Sequence, residues 1–158
     1  MNGIRFATEK DVPLILGFIK ELAEYEKMSD QVVADEKLLK EWIFDKNKAE
    51  VIFALEDGKE VGFALFFYTY STFVGRAGLH LEDLFVKVDY RGKGHGKRLI
   101  KEVAKIAEER NCGRLEWTCL DWNKPSIDFY RSLGAEQLNE WLIFRVAGET
   151  LSQLAKKD

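Results

Sequence analysis

Two prolines, two cysteines and two histidines in 158 residues close off several classes of protein at once. So little proline leaves long stretches free to complete helices and strands, and no Pro-rich linker divides the chain. Cys112 and Cys119 are too few for a disulfide framework and match no metal-ligand spacing, which points to a reducing, cytoplasmic compartment. With His80 and His95 the only histidines, no metal site is expected. No apolar run approaches the ~20 residues that span a bilayer, and the opening residues carry no signal-peptide core, so no membrane partner is expected. The 24 basic residues are outnumbered by 27 acidic ones, giving a formal charge of -3; the broad basic field that draws proteins to nucleic acid is missing as well.

What is present suits one globular domain over residues 1–158: 46% hydrophobic, 13% aromatic, with no internal repeat. Gly3 to Ala7 reads as a strand, followed by a helix started by Thr8 or Asp11 that tolerates Pro13 in its first turn. Ile15, Phe18, Ile19 and Leu22 fall at helical spacing and give that helix one buried face. Asp35 to Phe44 reads as a second, short helix. The period then changes: Val51 to Leu55 and Val61 to Tyr70 are strand-like and meet through Asp57-Gly58, a tight-turn pair. A strand from Leu79 to Val88 leads into a glycine-rich loop and a helix from Gly94 to Arg110, striped by Leu99, Ile100, Val103, Ile106 and Ala107. Leu115 to Leu120 reads as a strand, Pro125 to Leu133 as a helix, Trp141 to Val146 as a last strand, and the tail as a short polar helix. The fold class is α/β, a mixed sheet with helices on both faces.

The segment Arg91-Gly92-Lys93-Gly94-His95-Gly96-Lys97 carries the most chemistry. It sits between a strand and a helix, where glycines let backbone N–H groups turn inward and the helix end adds partial positive charge. Arg91, Lys93, Lys97 and Arg98 add formal charge around the same point, so the loop is built to hold a pyrophosphate. It lacks the Gly-Lys-Ser/Thr order of a Walker A loop and the early position of a dinucleotide fingerprint.

Arg91-Gly92-Lys93-Gly94-His95-Gly96 resembles the Q/R-x-x-G-x-G/A loop of the GNAT acetyltransferase superfamily, in which backbone amides hold the pyrophosphate of acetyl-CoA. Glu21 to Glu26, Leu81 to Val86 and Asp121 to Ser126 resemble segments of the diamine (spermidine/spermine) and thialysine acetyltransferases, and the likeness runs from Ile4 to Ala155. The resemblance implies a central, mostly antiparallel twisted sheet with splayed parallel strands. It also implies an acetyl-CoA-dependent N-acetyltransferase acting on a primary amine of a small molecule by direct attack in a ternary complex.

Such a reaction needs a neutral amine, yet at pH 7 only about one alkylamine in a thousand is neutral. The resemblance makes Glu82 the general base or an electrostatic attractor of the cationic substrate, two roles the sequence leaves open. Asp83 would point to the other face of a regular strand, unless a bulge alters the alternation. Tyr130 is by resemblance the acid that protonates the departing thiolate, with core packing as the alternative. Asn123 and Ser126 resemble contacts to the pantetheine arm, although Asn123 is equally suited to capping its helix. By resemblance, a backbone N–H of the splayed strand at Leu84, Phe85 and Val86 stabilises the oxyanion of the acyl group. His95 and Lys97 complete the pyrophosphate loop; a catalytic role for His95 is not expected, and His80 and Cys119 read as packing residues.

For the acceptor, Tyr25 and Glu26 end the first helix, a corner that lines the acceptor site in the related enzymes. With Glu82 they would form an acidic and aromatic pocket, the alternative being an ordinary solvated helix end. The polyamine enzymes carry an acidic residue after the Tyr-x-Tyr segment, where Ser71 follows Tyr68-Thr69-Tyr70 here. Ser71 and Arg76 instead look like the thialysine branch, since a positive charge suits a substrate with its own carboxylate. The rival readings are a protein lysine or N-terminal acetyltransferase and a sensor that binds acetyl-CoA without turnover. Relatives are homodimers, and a homodimer through the C-terminal half is expected.

Overall fold

In the computed structural model, which describes residues 3–156, the chain divides into two compact units, one ending at Thr118 and the other beginning at Cys119. The first unit is built on a five-stranded sheet in the order β1-β2-β3-β4-β5. Its strands are β1 (Gly3–Phe6), β2 (Glu50–Glu56), β3 (Lys59–Ser71), β4 (Arg76–Val86) and β5 (Leu115–Trp117). The first four are antiparallel neighbours, and β5 runs parallel to β4. The mixed sheet with one parallel pair is the expected architecture.

Helix α1 (Val12–Tyr25) follows a short 3₁₀ turn. The Thr8 N–H donates to Asp11 Oδ2 at 2.7 Å, and Pro13 falls in the first turn, where its missing N–H costs nothing. Helix α2 (Glu36–Leu39) continues into a π-helical turn, Lys40–Asp45, instead of the plain helix expected over Asp35–Phe44. On this side of the sheet Ile15, Phe18 and Ile43 pack against Val51, Phe53, Phe63 and Phe85. Helix α3 (His95–Glu109) covers the other face, and all five residues of its expected stripe are buried. Gly62 marks the closeness of that packing: a β-carbon there would come within 3.2 Å of Leu99 Cδ1 and 3.0 Å of the Phe85 carbonyl.

The β2–β3 hairpin turns on Asp57 (φ +50°) and Gly58 (φ +78°), both left-handed as the Asp-Gly pair predicts. Strand β4 starts three residues earlier than expected, at Arg76, because the Thr72–Gly75 turn lets Ser71 pair with it.

The second unit holds α4 (Lys124–Ser132) and α5 (Gly148–Lys156). The strand expected over Trp141–Val146 is absent. A strand needs a neighbour for its N–H and C=O groups, and no described strand pairs with this segment. Trp141, Leu142, Ile143 and Phe144 are between 74% and 89% exposed. Likewise β5 ends at Trp117, short of the expected Leu120.

Candidate active site

Beyond Val86 the chain makes a 3₁₀ turn, Val88–Tyr90, crosses Arg91 to Gly94, and enters α3. Gly92 (φ +78°) and Gly94 (φ +87°) adopt left-handed backbone that an L side chain resists, and a β-carbon on either would touch nothing within 4 Å. These glycines are required by the turn itself. Gly94 is the N-cap residue of α3, and no side chain caps the helix. The first N–H groups of α3, from His95, Gly96 and Lys97, therefore have no intrahelical acceptor and lie where partial positive charge gathers.

The basic residues around this turn are mostly committed elsewhere. Lys93 Nζ pairs with Glu56 Oε2 at 3.2 Å, and His95 Nε2 lies 2.9 Å from Glu56 Oε1. The Arg98 guanidinium bonds to His95 Nδ1 and to the carbonyls of Gly3 and Leu55. Hydrogen bonds from His95, the main cause, and from Lys93 hold the Glu56 carboxyl below its ordinary value. Arg91 lies over the Tyr25 ring at 4.5 Å and donates through Nε to the Val86 carbonyl at 2.9 Å. Lys97 is exposed and has no ion pair with a described residue. The expectation of four cations converging on an anion thus gives way to backbone N–H groups with Lys97, braced from behind by Glu56, His95 and Arg98.

Strands β4 and β5 part here. Their last pairing is Leu81 with Trp117, while β4 runs on to Val86. The Lys87 N–H bonds to Val61 on the β3 side at 2.8 Å. Strand alternation therefore turns the N–H groups of Leu84 and Val86 toward the side that β5 has left, and Phe85 toward β3. An open row of backbone donors leading to an uncapped helix end suits an extended thioester with a diphosphate, so the residues present fit acetyl-CoA.

The carboxylates lie one turn of chain earlier. Leu65 pairs with Asp83 and Phe66 with Leu81, so Glu82 is an extra residue on β4, a β-bulge. Its side chain is 55% exposed, and Oε1 stands 3.5 Å from His80 Nε2. The His80 ring in turn packs on Phe67, centroids 5.0 Å apart. Asp83 is part-buried opposite Leu65, which packs against the apolar cluster beneath α1. Burial, then the charges of Glu82 and Glu26, push the Asp83 carboxyl up to about 7. Glu26, the C-cap of α1, is raised as well, chiefly by burial and then by Glu82. Next to it the Tyr25 ring lies 6.3 Å from that of Phe85. Three carboxylates from two elements thus share one electrostatic neighbourhood, and Asp83, which spacing alone sends to the other face, belongs to it.

Ser71 and Arg76 stand elsewhere. They close the β3–β4 hairpin as its last pair, and Ser71 Oγ accepts from Val74 N at 3.2 Å and Arg114 Nη2 at 2.6 Å. Arg76 lies six residues before Glu82 on one strand, roughly 20 Å away at ~3.3 Å per residue. Within one chain, an amino-acid-sized acceptor cannot span both.

In the second unit, Asn123 is buried, and its Oδ1 accepts from Ser126 N at 3.4 Å, which makes it the N-cap of α4. Ser126 and Tyr130 lie one helical turn apart on the same face, and the Tyr130 ring sits 5.5 Å from that of Phe129.

Comparison with known proteins places this geometry. The model of the acetyltransferase (GNAT) family matches residues 17–135. The thialysine N-epsilon-acetyltransferase of Bos taurus is 42% identical, over 98% of this chain and 97% of that protein. The L-ornithine N5-acetyltransferase of Arabidopsis thaliana is 31% identical, over 98% of this chain and 88% of its own. Among solved structures, an integron cassette protein from the mobile metagenome of V. cholerae superposes with a TM-score of 0.82 at 31% identity, covering 99% of this chain and 98% of that one. An uncapped helix after two left-handed glycines, set beside a parted parallel strand pair, is therefore no accident of packing: the chain belongs to the GNAT family of acetyltransferases.

Proposed function

We propose that this protein transfers the acetyl group of acetyl-CoA to the terminal amine of a small ω-amino compound, thialysine or a related amino acid in preference to a polyamine. The observation that carries this reading is the cluster of Glu26, Glu82 and Asp83, in the same unit as the open edge of β4 and the uncapped end of α3. An acidic, partly dry pocket attracts an alkylammonium, and the backbone donors beside it attract the diphosphate of the donor. The thialysine and L-ornithine enzymes among the relatives act, by name, on ω-amino acids.

In this reading the backbone of Gly92, Lys93, Gly94, His95, Gly96 and the side chain of Lys97 hold the diphosphate, and Arg91 shapes the loop from the Tyr25 side. Leu84, Phe85 and Val86 direct the acyl group along the parted strand, with a backbone N–H there to receive the oxyanion. Acetyl-CoA supplies an activated acyl group on a good leaving thiolate. Asn123 and Ser126 guide its pantetheine arm, and Tyr130 returns a proton to the sulfur. Tyr25 and Glu26 hold the acceptor, whose proton is drawn by the carboxylates of β4, of which Glu82 is the one the family resemblance names. Ser71 and Arg76 act on an acceptor only from another copy or by recognising a longer molecule. The family match crosses the boundary between the two units, which supports one acetyltransferase domain over the whole chain. Among the described residues no helix is long and apolar enough to cross a membrane, and a cytoplasmic enzyme fits Cys112 and Cys119, neither of which is in a disulfide.

The test is acetyl-CoA-dependent release of CoA with thialysine, lysine, ornithine, putrescine, spermidine and spermine side by side. Preference for thialysine, lysine or ornithine supports the reading. Preference for spermidine or spermine moves the acceptor class to polyamines, and acetylation of a peptide array in place of every small amine replaces it with a protein acetyltransferase. Binding of acetyl-CoA with no release for any acceptor leaves a sensor.

A further inference from the structure

We propose that Asp83, and not Glu82, is the group that takes the proton from the acceptor ammonium. The inference rests on the acetyl-transfer reading and goes one step past it. Glu82 stands outside the β3–β4 ladder, more than half exposed, with its carboxylate beside His80. Water screens the charge of a carboxylate in that position. Asp83 is inside the ladder, opposite Leu65, on the face where Phe85 is 5% exposed and the apolar cluster beneath α1 begins.

The groups that face Asp83 are all anionic: Glu82 from its own strand and Glu26 from the end of α1. Among the described residues its carboxylate has no ion pair and no hydrogen bond, and the nearby Arg91 is turned to Tyr25 and the Val86 carbonyl. A carboxyl so placed holds its proton until about neutral pH, which is where a general base works best. An arriving ammonium supplies the missing positive charge. It favours the ionised form, so Asp83 gives up its resting proton to solvent and faces the N–H bond as a carboxylate.

The step then balances. The ammonium passes one proton to the Asp83 carboxylate, and the freed lone pair forms the C–N bond at the thioester carbonyl as the C–S bond breaks. The nitrogen sheds its second proton and the thiolate gains one, so turnover delivers one net proton to solvent through Asp83. Glu82 works as the attractor, which separates the two roles the sequence leaves open for one residue.

The experiment compares kcat/KM for lysine or thialysine between pH 5.5 and 9.5 in the wild type, Asp83→Asn and Glu82→Gln. The wild type is expected to lose rate as Asp83 protonates. Asp83→Asn should flatten that acidic limb and lower kcat by roughly 100-fold, with the KM for acetyl-CoA held within about twofold. Glu82→Gln should keep the limb, move it to lower pH because one like charge is gone, and act mainly on the amine KM. A retained limb in Asp83→Asn, or a limb abolished in Glu82→Gln alone, overturns the assignment. Should Asp83→Asn fold poorly, the wild type still decides. Lysine binding to the CoA-bound enzyme, followed by calorimetry in buffers of different ionisation enthalpy, is expected to release a proton near pH 6.5, and no release overturns the proposal. A wild type that frees no CoA with any small amine defeats the acetyl-transfer reading itself, and the assignment with it.

Discussion

The imidazole of His95 is held between two charges of opposite sign, with Nε2 2.9 Å from the Glu56 carboxylate and Nδ1 against the Arg98 guanidinium. Arginine can only donate, so Nδ1 accepts, and the ring carries its proton on Nε2 toward Glu56. The side chain is 1% exposed, which leaves only the backbone of His95 to meet a ligand. Residues 56 and 95 thereby brace the glycine turn from beneath, and Lys93 closes the brace from above.

Two substitutions separate the brace from the charge. His95→Leu keeps apolar volume but leaves Glu56 and Arg98 without their shared partner. Acetyl-CoA should then bind roughly 3–10-fold more weakly by calorimetry, since a loosened turn costs ordering free energy on binding. Glu56→Gln keeps an acceptor for His95 and frees Lys93. Binding should hold or tighten by up to about threefold, most visibly at low salt, because a surface pair is weak and a negative charge near the diphosphate is gone.

Asp83 should make the fold itself sensitive to pH. Its unfolded-chain value is 3.8 and its folded value about 7, so between these the native state holds a proton that the unfolded chain has released. Stability therefore falls as pH rises through that window and levels off above it. Asp83→Asn should match the wild type below pH 4 and exceed it by roughly 1–3 kcal/mol at pH 8, read by urea unfolding at the two pH values. An equal difference at both would mean that Asp83 titrates in the ordinary carboxylate range.

Tyr130→Phe keeps the helix and the ring but removes the hydroxyl. kcat should fall about 100-fold, while acetyl-CoA affinity changes less than twofold. An unchanged kcat would exclude Tyr130 as the required acid.

The exposed run Trp141 to Phe144 carries the homodimer proposal. Four large apolar side chains in succession are costly to leave in water. Light scattering at micromolar concentration should give a dimer mass, lowered toward the monomer by Trp141→Ser with Phe144→Ser. A monomeric wild type removes the proposal.

The parts of the fold readable in the sequence were those with local causes. The Asp57-Gly58 pair gives two left-handed residues, and the period of Leu99, Ile100, Val103, Ile106 and Ala107 faces α3 inward. Gly92 and Gly94 mark the turn into the helix because their left-handed backbone angles favour glycine. What escaped depends on distant residues. Nothing in Lys93 or His95 announces Glu56, which lies across the sheet in sequence terms and meets them only after β2 and α3 pack. Trp141 to Val146 has strand composition but no described strand beside it, and composition cannot supply a neighbour. Asp83 was hidden by the two-residue period, which a bulge resets. Its one local signal is an acidic pair set between the apolar residues Leu81 and Leu84-Phe85.

That bulge also sorts sheet from chemistry. Every pairing between β3 and β4 skips Glu82, so a chain lacking this residue could zip the same partners together without a gap. Glu82 is thus carried for curvature and charge and owes nothing to the ladder, whereas Asp83 is a rung of it. Variation at position 82 can retune the charge of the acidic cluster while the sheet stays intact; variation at position 83 has to satisfy both at once.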